Sequence, residues 1–200
     1  MATVTPGRPP VFNLPNQLTA TRLILALVLF VLIALEAWLW CLAIFAVAAA
    51  TDWLDGYLAR RQGLTSTLGR NLDPLVDKVL MCGAYIFLLP LGASEKWLLP
   101  WMVTVVVARE LVITGLRSFM ENQGASFGAD WLGKVKMVLQ CAALIAVFVE
   151  LHLRTTGASA AMMWFAGTSR DSLIYAMLAA TALSGLQYLW KAALLLKIDE

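Results

Sequence analysis

The polar and apolar positions of this chain alternate in long blocks. Apolar, uncharged runs cover Leu23–Leu35, Ala37–Thr51, Val79–Ser94, Trp97–Ala108, Met137–Val149 and Ser172–Trp190. Their length and lack of period-two alternation predict helices, six in all. A membrane-spanning helix needs about 17–25 apolar residues. Only the last run meets that by itself. The other five must continue into polar residues at one end, which carries Arg22, Asp52/Asp55, Asp73/Asp77, Arg109/Arg117 and Lys134/Lys136. With helices running alternately up and down, all of these fall on one side.

Breaks between the runs place the connections. Glu36–Trp38 and Leu91–Trp97 predict tight turns at the far side. Trp38, Trp40, Trp97 and Trp101 beside them suit an aromatic belt. Thr155–Ser169 is uncharged and rich in glycine and alanine, which predicts an outer loop with a half-inserted turn. Residues 1–15 are proline-rich and read as an N-terminal arm. Asn16–Arg22 reads as an interfacial segment before the first span, so the membrane domain covers 16–200. No cleavable signal is evident.

Composition agrees. Of the 200 residues 60% are hydrophobic and 14% charged, with a mean hydropathy of +0.76. A soluble domain runs at about 25% charged. A polytopic, all-α membrane protein is therefore expected, with six transmembrane helices and membrane lipids as its surroundings. No nucleic-acid partner is expected. Of the 15 basic residues only Lys96, Arg154 and Arg170 fall on the far side. The polar side then faces the cytoplasm, in a cell or inner membrane. Cys41, Cys82 and Cys141 lie apart in apolar runs, which argues against a zinc knuckle or a disulfide framework. His152 has no metal-ligand partner nearby and reads as interfacial.

The chemistry concentrates between Thr51 and Asp77. Asp52 and Asp55 are three apart, and Asp73 and Asp77 four apart, so each pair shares a helix face. The stretch Arg61–Asn71 is short enough to make an antiparallel hairpin and bring all four carboxylates to one depth. Asp73 would cap the second helix, with Pro74 in its first turn. Each ionised side chain costs about 2.5–3.5 kcal/mol at mid-membrane. Two carboxylates about 4 Å apart repel by about 4 kcal/mol at an effective dielectric of 20. Compensating cations are required, and Arg and Lys partners could supply part of that charge. Four oxygen ligands suit one or two hard divalent ions, Mg²⁺ or Mn²⁺. Two ions would balance the four charges and leave positions for phosphate oxygens. Gly56, Ala59 and Gly69 remove bulk where a large ligand approaches, and Arg60 can pair with phosphate.

The spacing D-x-x-D-G-x-x-A-R-x₈-G-x-x-x-D-x-x-x-D, filled by Asp52, Asp55, Gly56, Ala59, Arg60, Gly69, Asp73 and Asp77, resembles the signature of the CDP-alcohol phosphotransferases. The resemblance implies a six-helix membrane enzyme, usually a homodimer. It implies metal ligation by Asp52, Asp55, Asp73 and Asp77, with Asp77 also the general base. It further implies CDP contacts from Asn16, Thr19, Asp52, Gly56, Ala59, Arg60, Ser66 and Gly69.

A second cluster bears on the alcohol. Arg109 and Arg117 on helix 4, with Lys134 and Lys136 on helix 5, put four cations on the same side. Such a group suits an acceptor that itself carries a phosphate. The pattern A-R-E … R … G-K-x-K … Q, running to Gln140, and the opening Asn13–Thr19 with Arg22 resemble the branch of the family that uses glycerol 3-phosphate. The implied reaction moves the phosphatidyl group of CDP-diacylglycerol to glycerol 3-phosphate, releasing CMP by direct displacement. Other acceptors remain open, namely phosphatidylglycerol, serine or inositol phosphate. A divalent-cation transporter is a further alternative. It leaves Gly56, Ala59, Arg60 and Gly69 without a role, and the outer half of the helices reads as poor in polar groups.

Overall fold

The computed structural model describes residues 14–62, 67–122 and 131–196. The described residues form helices only: α1 (Leu14–Ala34), α2 (Trp38–Gln62), α3 (Thr67–Ser94), α4 (Pro100–Asn122), α5 (Trp131–Thr155) and α6 (Ala160–Leu196). The α1–α2, α3–α4 and α5–α6 turns close in the same way. Two residues beyond the end of each preceding helix comes a left-handed residue: Glu36 (φ 56°), Lys96 (φ 66°) and Gly157 (φ 68°). The next amide then donates five residues back, Ala37 to Leu32 at 3.0 Å, Trp97 to Gly92 at 3.0 Å and Ala158 to Leu153 at 3.2 Å. These bonds satisfy carbonyls that a helix end leaves open.

Two helices, α5 and α6, are long and apolar enough to cross a membrane over their described residues. Shorter apolar helical stretches cover Ala20–Ala34, Trp38–Thr51 and Lys78–Ser94. The exterior supports a membrane setting. Ile24, Val31, Trp40, Leu111, Val138, Trp164, Phe165, Leu186 and Trp190 are all exposed. So many large apolar side chains facing outward suit a lipid surround better than water.

Lipid offers little hydrophobic drive for helix association, so close packing and hydrogen bonds hold the bundle. The centre is filled by Leu29, Phe45, Tyr85, Leu88, Met102, Leu144, Phe148, Ile174 and Met177. Phe45 of α2 meets Phe148 of α5 edge-on at 6.1 Å. Phe30 of α1 stacks on Phe87 of α3 at 4.8 Å. A side chain at Gly83 would collide with that Phe30 ring, so glycine is what lets the ring lie there. The hydroxyl of Tyr85 donates to the Gln140 carbonyl at 3.0 Å and ties α3 to α5.

Several expectations are corrected. Thr155–Ser169 is no loop: α5 runs through Thr155 and α6 starts at Ala160. With 37 residues α6 is about 55 Å long, well beyond a hydrocarbon core of about 30 Å. Asn16–Arg22 is no separate segment but the opening turns of α1. Asp73 does not cap α3, which starts at Thr67 and holds Pro74 in its interior. Proline is tolerated there because neighbouring groups can satisfy the freed carbonyl. Trp40 and Trp101 face outward as a belt requires, whereas Trp38 and Trp97 are buried. Cys41 and Cys82 are buried and Cys141 partly so, and no disulfide joins them.

Candidate active site

The aspartate segment occupies the ends of α2 and α3 remote from the three tight turns. Positions 52, 55, 56, 59 and 60 lie on the last three turns of α2. Positions 69, 73 and 77 lie on the first three turns of α3. Only four residues separate the two helices, fewer than the sequence suggested. The side chains of Asn16, Thr19, Asp52, Asp55, Ala59, Arg60, Asp73 and Asp77, the surroundings of Gly56 and Gly69, and the whole of Ser66 lie outside the described residues.

The cation group divides into an inward and an outward pair. Lys134 and Lys136 are two positions apart, about 200° around a helix. Lys136 accordingly points into the bundle and is buried, while Lys134 is exposed. Arg109 lies against α6: its Nη2 donates to Ser184 Oγ at 3.0 Å, and its guanidinium sits 5.8 Å from the Tyr188 ring centre. Gly185 makes room, since a Cβ there would press on the Arg109 side chain at 3.3 Å. Arg117, two turns further along α4, is exposed. The structure thus brings Arg109 and Lys136 together and leaves Arg117 and Lys134 at the surface.

Glu110 joins the buried Lys136 to the half-buried Arg109. It is 6% exposed, forms an ion pair with Lys136, and lies 3.4 Å from Arg109 Nη1. Lys78 and Arg109 are near enough for their charges to act on Lys136. Lys78 directly follows Asp77, so the cation group adjoins the aspartate segment along α3. Among the described residues, Arg109 Nε and Gln140 Nε2 are buried without hydrogen-bond partners. Both are donors, which suits an acceptor-rich ligand such as phosphate.

Sequence reasoning gave no role to Glu110, Ser184, Gly185 or Tyr188. An acid inside an apolar helix was the available signal for Glu110. Ser184 and Gly185 offered only a small polar break within α6.

The opposite end holds a second ion network, contrary to the expectation of few polar groups there. Glu150 is 1% exposed and pairs with Arg154, one turn along α5, and with Arg170 of α6 at 3.1 Å. Arg154 also reaches Glu95 at 2.5 Å, and Arg170 reaches Asp171 at 2.9 Å. Trp97 Nε1 donates to Glu95 at 2.9 Å, and Arg170 sits 4.9 Å from the Trp97 ring centre. Burial alone would raise the Glu95 carboxyl. Hydrogen bonds from Arg154 and Trp97, with the charges of Arg154 and Arg170, hold it below its ordinary value. These charges are mutually paired and fasten the α3–α4 turn to α5 and α6.

Comparison with known proteins places the chain. Residues 12–170 match the family described as CDP-alcohol phosphatidyltransferase. The chain belongs to that family. Members generally use divalent metal ions, and they are membrane enzymes. Three relatives carry the name CDP-diacylglycerol–glycerol-3-phosphate 3-phosphatidyltransferase. The one from Bacillus subtilis (strain 168) is 34% identical over 155 residues, 70% of this chain and 78% of that protein. The one from Pectobacterium atrosepticum is 35% identical over 161 residues, covering 78% and 87%. The one from Yersinia pestis (strain Pestoides F) is 37% identical over 139 residues, covering 66% and 75%.

Proposed function

We propose that this CDP-alcohol phosphatidyltransferase transfers the phosphatidyl group of CDP-diacylglycerol to glycerol 3-phosphate, giving phosphatidylglycerophosphate and CMP. The names of the relatives support the substrate pair. The observation that carries the acceptor is the pairing of half-buried Arg109 and buried Lys136 through Glu110, beside Lys78, one residue from Asp77. A neutral or zwitterionic alcohol would not repay the desolvation of two cations there. A phosphate dianion would, through charge-assisted hydrogen bonds.

In this proposal Arg109 and Lys136 hold the acceptor phosphate, with Arg117 and Lys134 drawing it in from the surface. Asp77 takes the proton of the primary hydroxyl. The hydroxyl oxygen bonds to the β-phosphorus, the bridging P–O bond breaks, and its electron pair leaves with CMP. Asn16, Thr19, Asp52, Gly56, Ala59, Arg60, Ser66 and Gly69 bind the CDP moiety. Asp52, Asp55, Asp73 and Asp77, two per helix, are a donor set suited to two Mg²⁺ or Mn²⁺ ions. Such ions, when bound, offset charge on the phosphate oxygens. No covalent enzyme intermediate is required.

The same proposal has six spans from residue 16 onward, a short arm at 1–15, a homodimer, and an active site facing the cytoplasm. The biased distribution of basic residues supports that orientation.

The test is CMP release by purified protein with CDP-diacylglycerol, Mg²⁺ or Mn²⁺, and a panel of alcohols. Release with glycerol 3-phosphate, but not with serine, inositol phosphate or phosphatidylglycerol, is expected. Equal release with several alcohols would overturn the acceptor assignment.

A further inference from the structure

We propose that Glu110 is a positioning residue, holding Lys136 and Arg109 ready for the acceptor phosphate. The proposal rests on the acceptor reading above and extends it to a residue that touches neither substrate.

A carboxylate is an unexpected neighbour for a phosphate subsite, because it repels the ligand. Its placement explains its presence. Lys136 is 5% exposed, and Lys78 and Arg109 act on it with charge of its own sign. A buried ammonium among cations tends to lose its proton or to turn away. Among the described residues, Glu110 is the carboxylate paired with Lys136. It comes from α4, one residue after Arg109, whereas Lys136 comes from α5. One side chain therefore links a cation of α4 to a cation of α5.

Arg109 is fixed from the other side by Ser184 at 3.0 Å and by the Tyr188 ring. Its Nε and the Gln140 amide nitrogen, one turn from Lys136, remain without partners among the described residues. The arrangement is two oriented cations and two unused donors, held before the phosphate arrives. Preorganisation of this kind strengthens binding by removing the cost of ordering at the moment of encounter.

The experiment uses the full-length protein in detergent–lipid micelles with Mg²⁺. Initial rates are measured against glycerol 3-phosphate and against CDP-diacylglycerol. The variants are Glu110→Gln, Glu110→Asp, Lys136→Met and the double variant Glu110→Gln/Lys136→Met. Glu110→Gln is expected to raise the KM for glycerol 3-phosphate about tenfold, with kcat and the CDP-diacylglycerol KM moving less than about threefold. Glu110→Asp should recover most of that loss. In the Lys136→Met background the Glu110→Gln change should add less than about twofold, because its partner is already gone. For variants too slow to assay, the rise in melting temperature with added glycerol 3-phosphate replaces KM.

Equal effects on both substrates, or an undiminished effect without Lys136, would reduce Glu110 to packing and overturn the inference. Glycerol 3-phosphate-dependent turnover in wild type with an unaltered Glu110→Gln would overturn it alone. A wild type that releases no CMP with glycerol 3-phosphate would overturn the proposed function, and this inference with it.

Discussion

Arg170 of α6 donates to Glu150 of α5 at 3.1 Å, with side chains 8% and 2% exposed. The pair lies beside the α5–α6 turn, at the end of the bundle remote from the aspartates. Losing one partner of a buried pair strands a charge, which costs about 3–5 kcal/mol. Glu150→Ala leaves Arg170 only the half-exposed Asp171 as a counter-charge, and should lower stability toward the lower end of that range in a detergent unfolding titration. Glu150→Ala combined with Arg170→Met should regain part of the loss, because no charge is left stranded. A loss under about 1 kcal/mol in the single variant would show that the network does not hold this end together.

The same network gives a pH dependence. Glu95 lies in the α3–α4 turn, and its carboxyl is held below the ordinary value of 4.5. A depressed carboxyl contributes stability that is present above the ordinary value and lost as pH falls through the folded value. Melting temperature should therefore fall below about pH 4.5. The fall should be smaller in Glu95→Gln, where that linkage is gone. Identical acid profiles for the two proteins would contradict the assignment.

Gly83 offers a packing test. A methyl group there would meet the Phe30 ring, which is stacked on Phe87. Gly83→Ala should destabilise by about 1–3 kcal/mol, the usual range for overpacking. Gly83→Ala with Phe30→Leu should be milder, since the ring edge is removed. Thermal unfolding of the three proteins decides it.

Arg109 offers a functional test. A lost charge-assisted hydrogen bond costs about 1.5–3 kcal/mol. Arg109→Ala should therefore raise the KM for glycerol 3-phosphate by at least about tenfold. Arg117→Ala should raise it less, because an exposed charge is screened by solvent. Steady-state kinetics would contradict the division of the cluster if the exposed arginine mattered more.

The helices were legible because apolar runs interrupted by Glu36 and by Glu95–Lys96 leave few other ways to fold in lipid. The aspartate spacing pointed to the family because acids inside apolar helices need a chemical reason, and the family match over residues 12–170 agrees. Thr155–Ser169 misled because alanine and glycine suit a membrane helix as readily as a loop, and α5 and α6 need only a four-residue turn. Pro74 misled because proline usually marks a helix start in water, a bias that weakens in membranes. The cation cluster was legible as charge but not as geometry. That Lys136 is buried and Lys134 exposed depends on which face of α5 meets the bundle. Glu110 stood in a motif without a role, because its partner comes from another helix.

The central claim is the transfer itself. Labelled glycerol 3-phosphate, supplied to purified protein with CDP-diacylglycerol and Mg²⁺, should enter the organic phase as phosphatidylglycerophosphate, one label for each CMP released. Asp77→Asn should abolish both signals together. CMP release without label in the lipid, or an Asp77→Asn protein that still forms the labelled product at the wild-type rate, would contradict the account.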